Sequence, residues 1–194
     1  MQISDLEPEQ ADVVRQVAAL LVRGFATQAP EAWPTVADAI QEVQASFGSD
    51  RLSRVARNER GTVLGWISAN QQYDGQVWEL HPLVVDPAHR RQGIGRALVT
   101  DLEARMRERG GLTLWLGADD ESAQTTLGGV DLYPDVCAHL TAIRNLREHP
   151  YTFYQRLGFV IVGVLPDANG FGKPDIFLAK RLVPPPPAAQ LPDR

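Results

Sequence analysis

Cysteine is almost absent from the chain. Cys137 stands alone among 194 residues, so no internal disulfide framework exists and the fold must hold by packing, as suits a reducing compartment. Long apolar runs are missing too: no stretch approaches the roughly 20 residues that cross a bilayer. The opening "MQISDLEPEQ" has neither the basic nor the apolar region of a secretory signal. Four histidines are scattered, with no CxxC or HExxH spacing, which argues against a metal centre. Positive charge is scarce. Nineteen Lys and Arg face 24 Asp and Glu, a net charge of −5. That is the wrong sign for gripping phosphate backbones and the right one for a small cationic ligand. These absences predict a cytoplasmic protein with no nucleic acid, membrane or metal partner.

What is present is enough apolar material, 44% of residues, to bury one sizeable core. We expect a single domain over residues 1–183 and a Pro-rich, disordered tail, "PPPPAAQLPDR" (184–194). Val13, Val14, Val17, Leu20 and Leu21 recur at helical spacing and stop at Gly24, read as a C-cap. A second helix starts at Thr35, with Val36, Ala39, Ile40, Val43 and Phe47 on one face. Strands over 52–57, 62–69 and 76–85 follow, joined by turn chemistry at 58–61 and 74–75, which predicts an antiparallel meander. A helix then runs from the glycines at 93 and 95 to Gly110-Gly111. Beyond it we expect a strand over 112–117, a polar loop to about 136, helices over 137–147 and 150–157, and strands over 159–165 and 175–180. The predicted fold class is mixed α/β (α+β), with one central sheet containing the meander and helices on both faces.

The strand-to-helix junction "VVDPAHRRQGIGRALV" (84–99) carries the chemistry. A P-loop needs Lys-Ser/Thr after its last glycine, and Gly95 is followed by Arg96-Ala97. A dinucleotide fingerprint needs a third glycine where Leu98 stands. Both patterns fail. What remains is Arg90-x-x-Gly93-x-Gly95 opening a helix, whose free amides and dipole attract a pyrophosphate. The bland alternative is a tight turn, with glycines for packing and arginines on a solvated face.

Arg/Gln-x-x-Gly-x-Gly/Ala after a strand resembles the acetyl-coenzyme A signature of the GNAT superfamily of N-acetyltransferases, and the element order is similar to that fold. Four segments resemble the aminoglycoside 6'-N-acetyltransferases of the chromosomal enterococcal type: "WELHPLVV" (78–85), "TTLGGVDLY" (125–133), "NLREHPYTFYQRLGF" (145–159) and "GVLPDANGFGKPDI" (163–176). The similarity runs over about residues 62–183 and is weak before them. It implies acetyl-coenzyme A as cosubstrate, held by backbone amides from Arg91 through Gln92, Gly93, Ile94 and Gly95 to Arg96, with Arg90, Leu83, Val84 and Val85 in the same site. It also implies a homodimer.

Acetyl transfer to an amine needs an unprotonated nucleophile, an oxyanion site and a proton for the leaving thiolate. The resemblance gives Glu79 the acceptor ammonium and its proton, the backbone near His81 and Leu83 the thioester carbonyl, and Tyr154 the thiolate. A phenol, with a pKa of about 10, stays protonated at neutral pH. Glu79 and His81, two apart on a strand, share a face; read alone, Glu79 is a surface residue on a half-exposed strand, as most strand glutamates are, and it is the resemblance that gives it the functional role. His81 is either a base or a packed histidine before Pro82. Family members commonly carry Asn seven residues before the tyrosine; here that position is Arg147, with Asn145 two residues early. Phe153 reads as the core half of the Phe153-Tyr154 pair, and Cys137 as a core residue of its helix. Between Arg109 and Arg144 lies no Lys or Arg, while Asp119, Asp120, Glu121, Asp131 and Asp135 all fall there. Such a loop is either a solvated face or a steering surface for a polycation. Asp119, Asp120 and Asp135 are the acceptor-site candidates, with Tyr73 as a residue to stack on a sugar ring. The reading is direct acetyl transfer, in a ternary complex, to the 6'-amine of an aminoglycoside. Its alternatives are a polyamine, peptide N-terminus or other metabolite amine as acceptor, or a non-catalytic acyl-coenzyme A-binding module.

Overall fold

A computed structural model describes residues 1–27 and 29–186; all but the first three residues of the expected tail lie outside them. The elements run β1 (Gln2–Asp5), α1 (Ala11–Phe25), α2 (Val36–Ala45), β2 (Arg51–Arg57), β3 (Val63–Gln72), β4 (Val77–Val85), α3 (Ile94–Glu108), β5 (Thr113–Asp119), α4 (Val136–Thr141), α5 (Tyr151–Gln155), β6 (Val160–Leu165) and β7 (Asp175–Arg181). One seven-stranded sheet has the order β1-β2-β3-β4-β5-β7-β6. All its ladders are antiparallel except β4–β5. Ile94, Leu98, Leu102 and Met106 of α3 pack on one apolar layer, and Val14, Val17, Leu20 and Leu21 of α1 on the other. The mixed α/β sheet with helices on both faces is the predicted class.

Local chemistry explains where several elements start and stop. Thr35 caps α2 reciprocally: its hydroxyl accepts from the Asp38 amide, and the Asp38 carboxylate accepts from the Thr35 amide. Gly24 is not the C-cap expected, because α1 continues to Phe25. A Cβ at 24 would collide with Val84, so this glycine lets α1 press onto β4. The expected helix over 137–147 stops at Thr141. There the chain turns to bridge Asn145 to Thr125, and the Leu146 amide donates to the Gln124 carbonyl. Cys137 is accordingly exposed rather than core.

Two irregularities shape β4. Ile67 pairs with Leu83 and Ala69 with Leu80, so β4 carries one extra residue, a bulge at His81-Pro82 opposite Ser68. The bulge switches faces. Trp78 and Leu80 before it join the α3 layer, whereas Val84 after it joins the α1 layer. The parallel ladder to β5 lasts only for Val77–Thr113, Trp78–Leu114 and Glu79–Trp115. Past those pairs the strands part, and a cleft opens between them.

His149 fastens the far wall of that cleft. It is fully buried; its Nδ1 accepts from the Tyr151 amide at 3.2 Å, so Nε2 carries the proton and donates to the Asp119 carbonyl at 3.0 Å. Burial lowers the His149 pKa, and the Asp119 carbonyl and the charges of Asp120 and Asp119 only partly oppose this. The unfolded chain therefore takes up the proton first as pH falls, and stability declines from about pH 6.5 downward. Thermal melts of His149→Gln should show a lower Tm at pH 7 and a smaller further loss between pH 7 and 5 than the native protein. Equal losses in both would remove His149 as the titrating group.

Candidate active site

The cleft has a volume of about 1270 Å³ and is walled by β4 from Leu80 to Val85, β5 from Gly117 to Asp119, the start of α3 and the segment around α5. That exceeds the roughly 300–1,000 Å³ typical of a single small-ligand pocket. At its α3 end the first helical bond runs from the Ala97 amide to the Gly93 carbonyl, 2.9 Å. The amides of residues 91–96 donate to no protein acceptor among the described residues. Those of residues 93–96 are the orphan donors of a 15-residue helix, clustered at its positive end with the two amides that precede them. Gly93 sits at φ 84°, a conformation glycine adopts without strain. A Cβ at Gly95 would stand 3.3 Å from the Phe153 ring. The turn is therefore both tightly packed and open for an anion, and its donor set suits the pyrophosphate of acetyl-coenzyme A. Among the described residues no cluster of three or more metal-ligating side chains occurs.

The predicted cofactor residues divide by what their side chains do. Leu83, Val84, Val85, Arg90, Arg91, Gly93, Ile94, Gly95 and Arg96 line the cleft, and Gln92, though exposed, does not. Val84 is buried against α1. The Arg90 guanidinium donates to the Gly24 carbonyl at 2.9 Å, tying the turn to the end of α1. Arg91 pairs with Glu148 at 3.0 Å on the surface. Asn145 lines the cleft, but its amide exchanges hydrogen bonds with the carbonyl and N–H of His149, 2.8 and 2.9 Å.

Tyr154 and Phe153 reverse their expected burial. Tyr154 is buried and Phe153 only half-buried, its ring resting near Gly95 on the cleft wall. Burial raises the Tyr154 pKa above the ordinary phenol value, so the hydroxyl keeps its proton throughout the neutral range. Its side chain still lines the cleft.

Glu79 stands at the apex where the strands part, next to Leu80, where the cleft lining begins, and itself outside that lining. The amides of Gln72 and Asn70 both donate to its Oε2, at 2.7 and 3.2 Å, leaving Oε1 without a hydrogen-bond partner among the described residues. Trp115 Nε1 donates to Gln72 Oε1 at 3.0 Å, which fixes the orientation of the Gln72 amide. His81 lies on the cleft wall and is not packed. Its side chain is 59% exposed, with Nε2 3.9 Å from Glu42 and its ring 6.1 Å from that of Trp33. Sequence reasoning missed Asn70, Gln72 and Trp33; only the even spacing of 70 and 72 on one face of a strand hinted at the first two.

The acidic loop separates sharply. Asp119 lines the cleft and accepts from Asn169 at 2.5 Å. Asp120 points the other way. It is fully buried and accepts from the Gln124 amide, the Thr125 amide and the Thr125 hydroxyl at 2.6–2.9 Å. Its carboxylate organises the loop, which rules out the acceptor contact expected of it. Asp135 caps α4, accepting from the Ala138 amide at 3.0 Å, and lies outside the cleft lining. Tyr73, exposed at the β3–β4 turn, is outside it as well. Asp175, which the sequence did not single out, faces Asp119 across the β5–β7 ladder.

The acetyltransferase (GNAT) family model matches residues 18–127. No curated protein matches the chain. Among solved structures, an aminoglycoside 6'-N-acetyltransferase complexed with coenzyme A is 40% identical over 96% of this chain and 100% of its own, with a TM-score of 0.88. The aminoglycoside 6'-N-acetyltransferase from Enterococcus faecium is 39% identical over the same shares, with a TM-score of 0.86. An aminoglycoside 6'-acetyltransferase type Ii is 33% identical, again over 96% and 100%, with a TM-score of 0.72. The similarity thus extends into the first sixty residues, where the sequence shows little of it. An orphan-amide turn, a cleft between parting parallel strands and these matches agree: the chain belongs to the GNAT family of acetyltransferases.

Proposed function

We propose that this protein transfers acetyl from acetyl-coenzyme A to the 6'-amine of an aminoglycoside, directly and within a ternary complex. The observation that carries the reading is one cleft lined by the orphan-amide turn, Tyr154 and Asp119, in a chain whose relatives carry that name. The amides of residues 91–96 hold the pyrophosphate, and acetyl-coenzyme A supplies the thioester. Glu79, with Oε2 fixed by Gln72 and Asn70 and Oε1 unpaired among the described residues, receives the acceptor ammonium and takes its proton, directly or through water. As the C–N bond forms the C–S bond breaks; Tyr154 supplies the proton the thiolate gains, and the second proton that the acceptor nitrogen sheds on becoming an amide returns to Tyr154. His81 offers its backbone to the thioester carbonyl, and Trp33 an aromatic wall for the acceptor.

The same reading treats residues 1–183 as one acetyltransferase domain and the protein as a cytoplasmic homodimer, active without nucleic acid, membrane or metal. Val160, Val162 and Leu165 support the dimer: they are exposed on β6, an edge strand with no charged residue, which other soluble chains protect. No described helix is long and apolar enough to cross a membrane.

Three measurements test the assignment. In Tyr154→Phe the ring stays and the proton donor goes, so coenzyme affinity should hold while kcat falls about 10²–10⁴-fold, the usual contribution of a general acid; unchanged turnover would make Tyr154 structural. Glu79→Gln should lose most activity near neutral pH and recover partly as the amine deprotonates at higher pH, whereas an even loss across the profile would limit Glu79 to positioning. Finally, aminoglycoside KM should rise with ionic strength, because exposed charges beyond about 10 Å are screened at 0.1 M salt. Asp119→Asn should raise KM further and flatten that dependence, while Asp120→Asn should lower Tm instead. A KM independent of salt would return the acceptor to an unspecified amine.

A further inference from the structure

Asp175 opens β7 opposite Asp119, and its carboxylate lies over Gly117, a residue of the cleft wall. A Cβ at 117 would collide with that carboxylate, so the glycine leaves it room beside the cleft. Oδ1 is buried and has no hydrogen-bond partner among the described residues. Asp175 itself stands just behind the cleft lining, reached past Gly117 and Asp119, which do line it. Leaving a buried acceptor unpaired is costly, and a donor entering from the cleft between those two residues would remove the cost. The neighbours fix what kind of donor. The charged groups acting on Asp175 are Asp119 on β5 and Glu79 on β4, both carboxylates; its other ladder partner, Leu165 of β6, is uncharged.

We propose that Asp175 is a specificity-determining residue of the acceptor site, receiving with Asp119 a second ammonium group of a polycationic acceptor, distinct from the reacting amine at Glu79. This rests on the polycationic reading of the acceptor. It explains why an acidic side chain is held beside the cleft with no cation against it among the described residues, and it separates polyamines and aminoglycosides from monoamines, which have no second charge to place. Burial first, then Asp119, with a smaller push from Glu79, lifts the Asp175 carboxyl up to about 6, against a weaker pull from the amides of Ala118 and Ile176. Near pH 6 about half of the free protein therefore holds a proton there, which a bound ammonium must displace.

The experiment pairs the native protein with Asp175→Asn, which keeps the shape and removes the charge. Steady-state thiol release should give Asp175→Asn an aminoglycoside KM about tenfold higher, with acetyl-coenzyme A KM unchanged and hexylamine acetylation unaffected. Calorimetry of aminoglycoside binding at pH 6, in two buffers of different ionisation enthalpy, should show more proton release by the native protein than by the variant. If Asp175→Asn fails to fold, Gly117→Ala, which displaces the same carboxylate, should give the same KM and proton-release changes. Native protein that acetylates aminoglycosides while the variant matches it in KM and proton release overturns the role of Asp175 alone. Native protein that neither binds nor acetylates any aminoglycoside, yet acetylates hexylamine, overturns the polycationic reading and this inference with it.

Discussion

Everything at the site depends on a parallel ladder that is only three residue pairs long. Each strand that leaves it keeps a partner: β4 continues beside β3, from Leu80–Ala69 to Val85–Gly65, and β5 continues beside β7, from Gly117–Phe177 to Asp119–Asp175. The separation therefore exposes one edge of each strand without dissolving either. Those two edges present backbone donors and acceptors to the cleft, where a ligand or water must satisfy them. The helix that follows β4 can press in at the opening because Gly65 lacks a side chain: Ile94 and Leu98 stand 3.2 and 3.0 Å from where its Cβ would be. Close packing thus aims the N-terminus of α3 into the gap.

Two ligands of opposite charge then meet without sharing a surface. Orphan amides at the end of α3 favour an anion through a fixed dipole that needs no lysine. The chain is free to be acidic elsewhere, and its −5 charge suits the cationic partner. Of the turn's arginines, Arg90 and Arg91 are engaged by Gly24 and Glu148, while Arg96 lines the cleft and adds its charge to the attraction of the amides. His149 joins the two halves, because its ring bridges the N-terminus of α5 and the end of β5. A shift in Asp119 is in this way coupled to the helix that bears Tyr154.

The elements legible in the sequence were those whose causes are local. The glycine turn, the meander and α3 rest on short spacings, and they stand where those spacings put them. The strand β1 was not legible, since QISD has no apolar alternation. It pairs because the buried Arg54 guanidinium holds Asp5 together with Asp101 of α3, a contact spanning nearly a hundred residues of chain. The acidic loop failed for a related reason. Asp119 and Asp120 are chemically identical and adjacent, but one ends β5 facing the cleft while the other turns inward onto Thr125. Composition cannot distinguish them. Asn70 and Gln72 of β3, Trp33 and Asp175 come from three separate segments, and only the sheet register brings three of these residues to one face.

The two proton-handling groups of the proposed reaction sit in environments that differ as their tasks do. An acid for a departing thiolate must hold its proton until the C–S bond stretches, and burial around Tyr154 disfavours the phenolate. Tyr154 cannot also be the base for an incoming ammonium, because a phenol that is already protonated near neutral pH has no basic oxygen to offer. Glu79 is only half-buried and already accepts two amide N–H groups on one oxygen, so its negative charge is supported before the acceptor arrives. Exchanging the two residues would place a charge where the core rejects it and a neutral hydroxyl where an ammonium must be held. The sheet separates the roles geometrically: Trp78 and Leu80, on either side of Glu79, point into the layer that contains Tyr154, so strand alternation directs Glu79 to the opposite face.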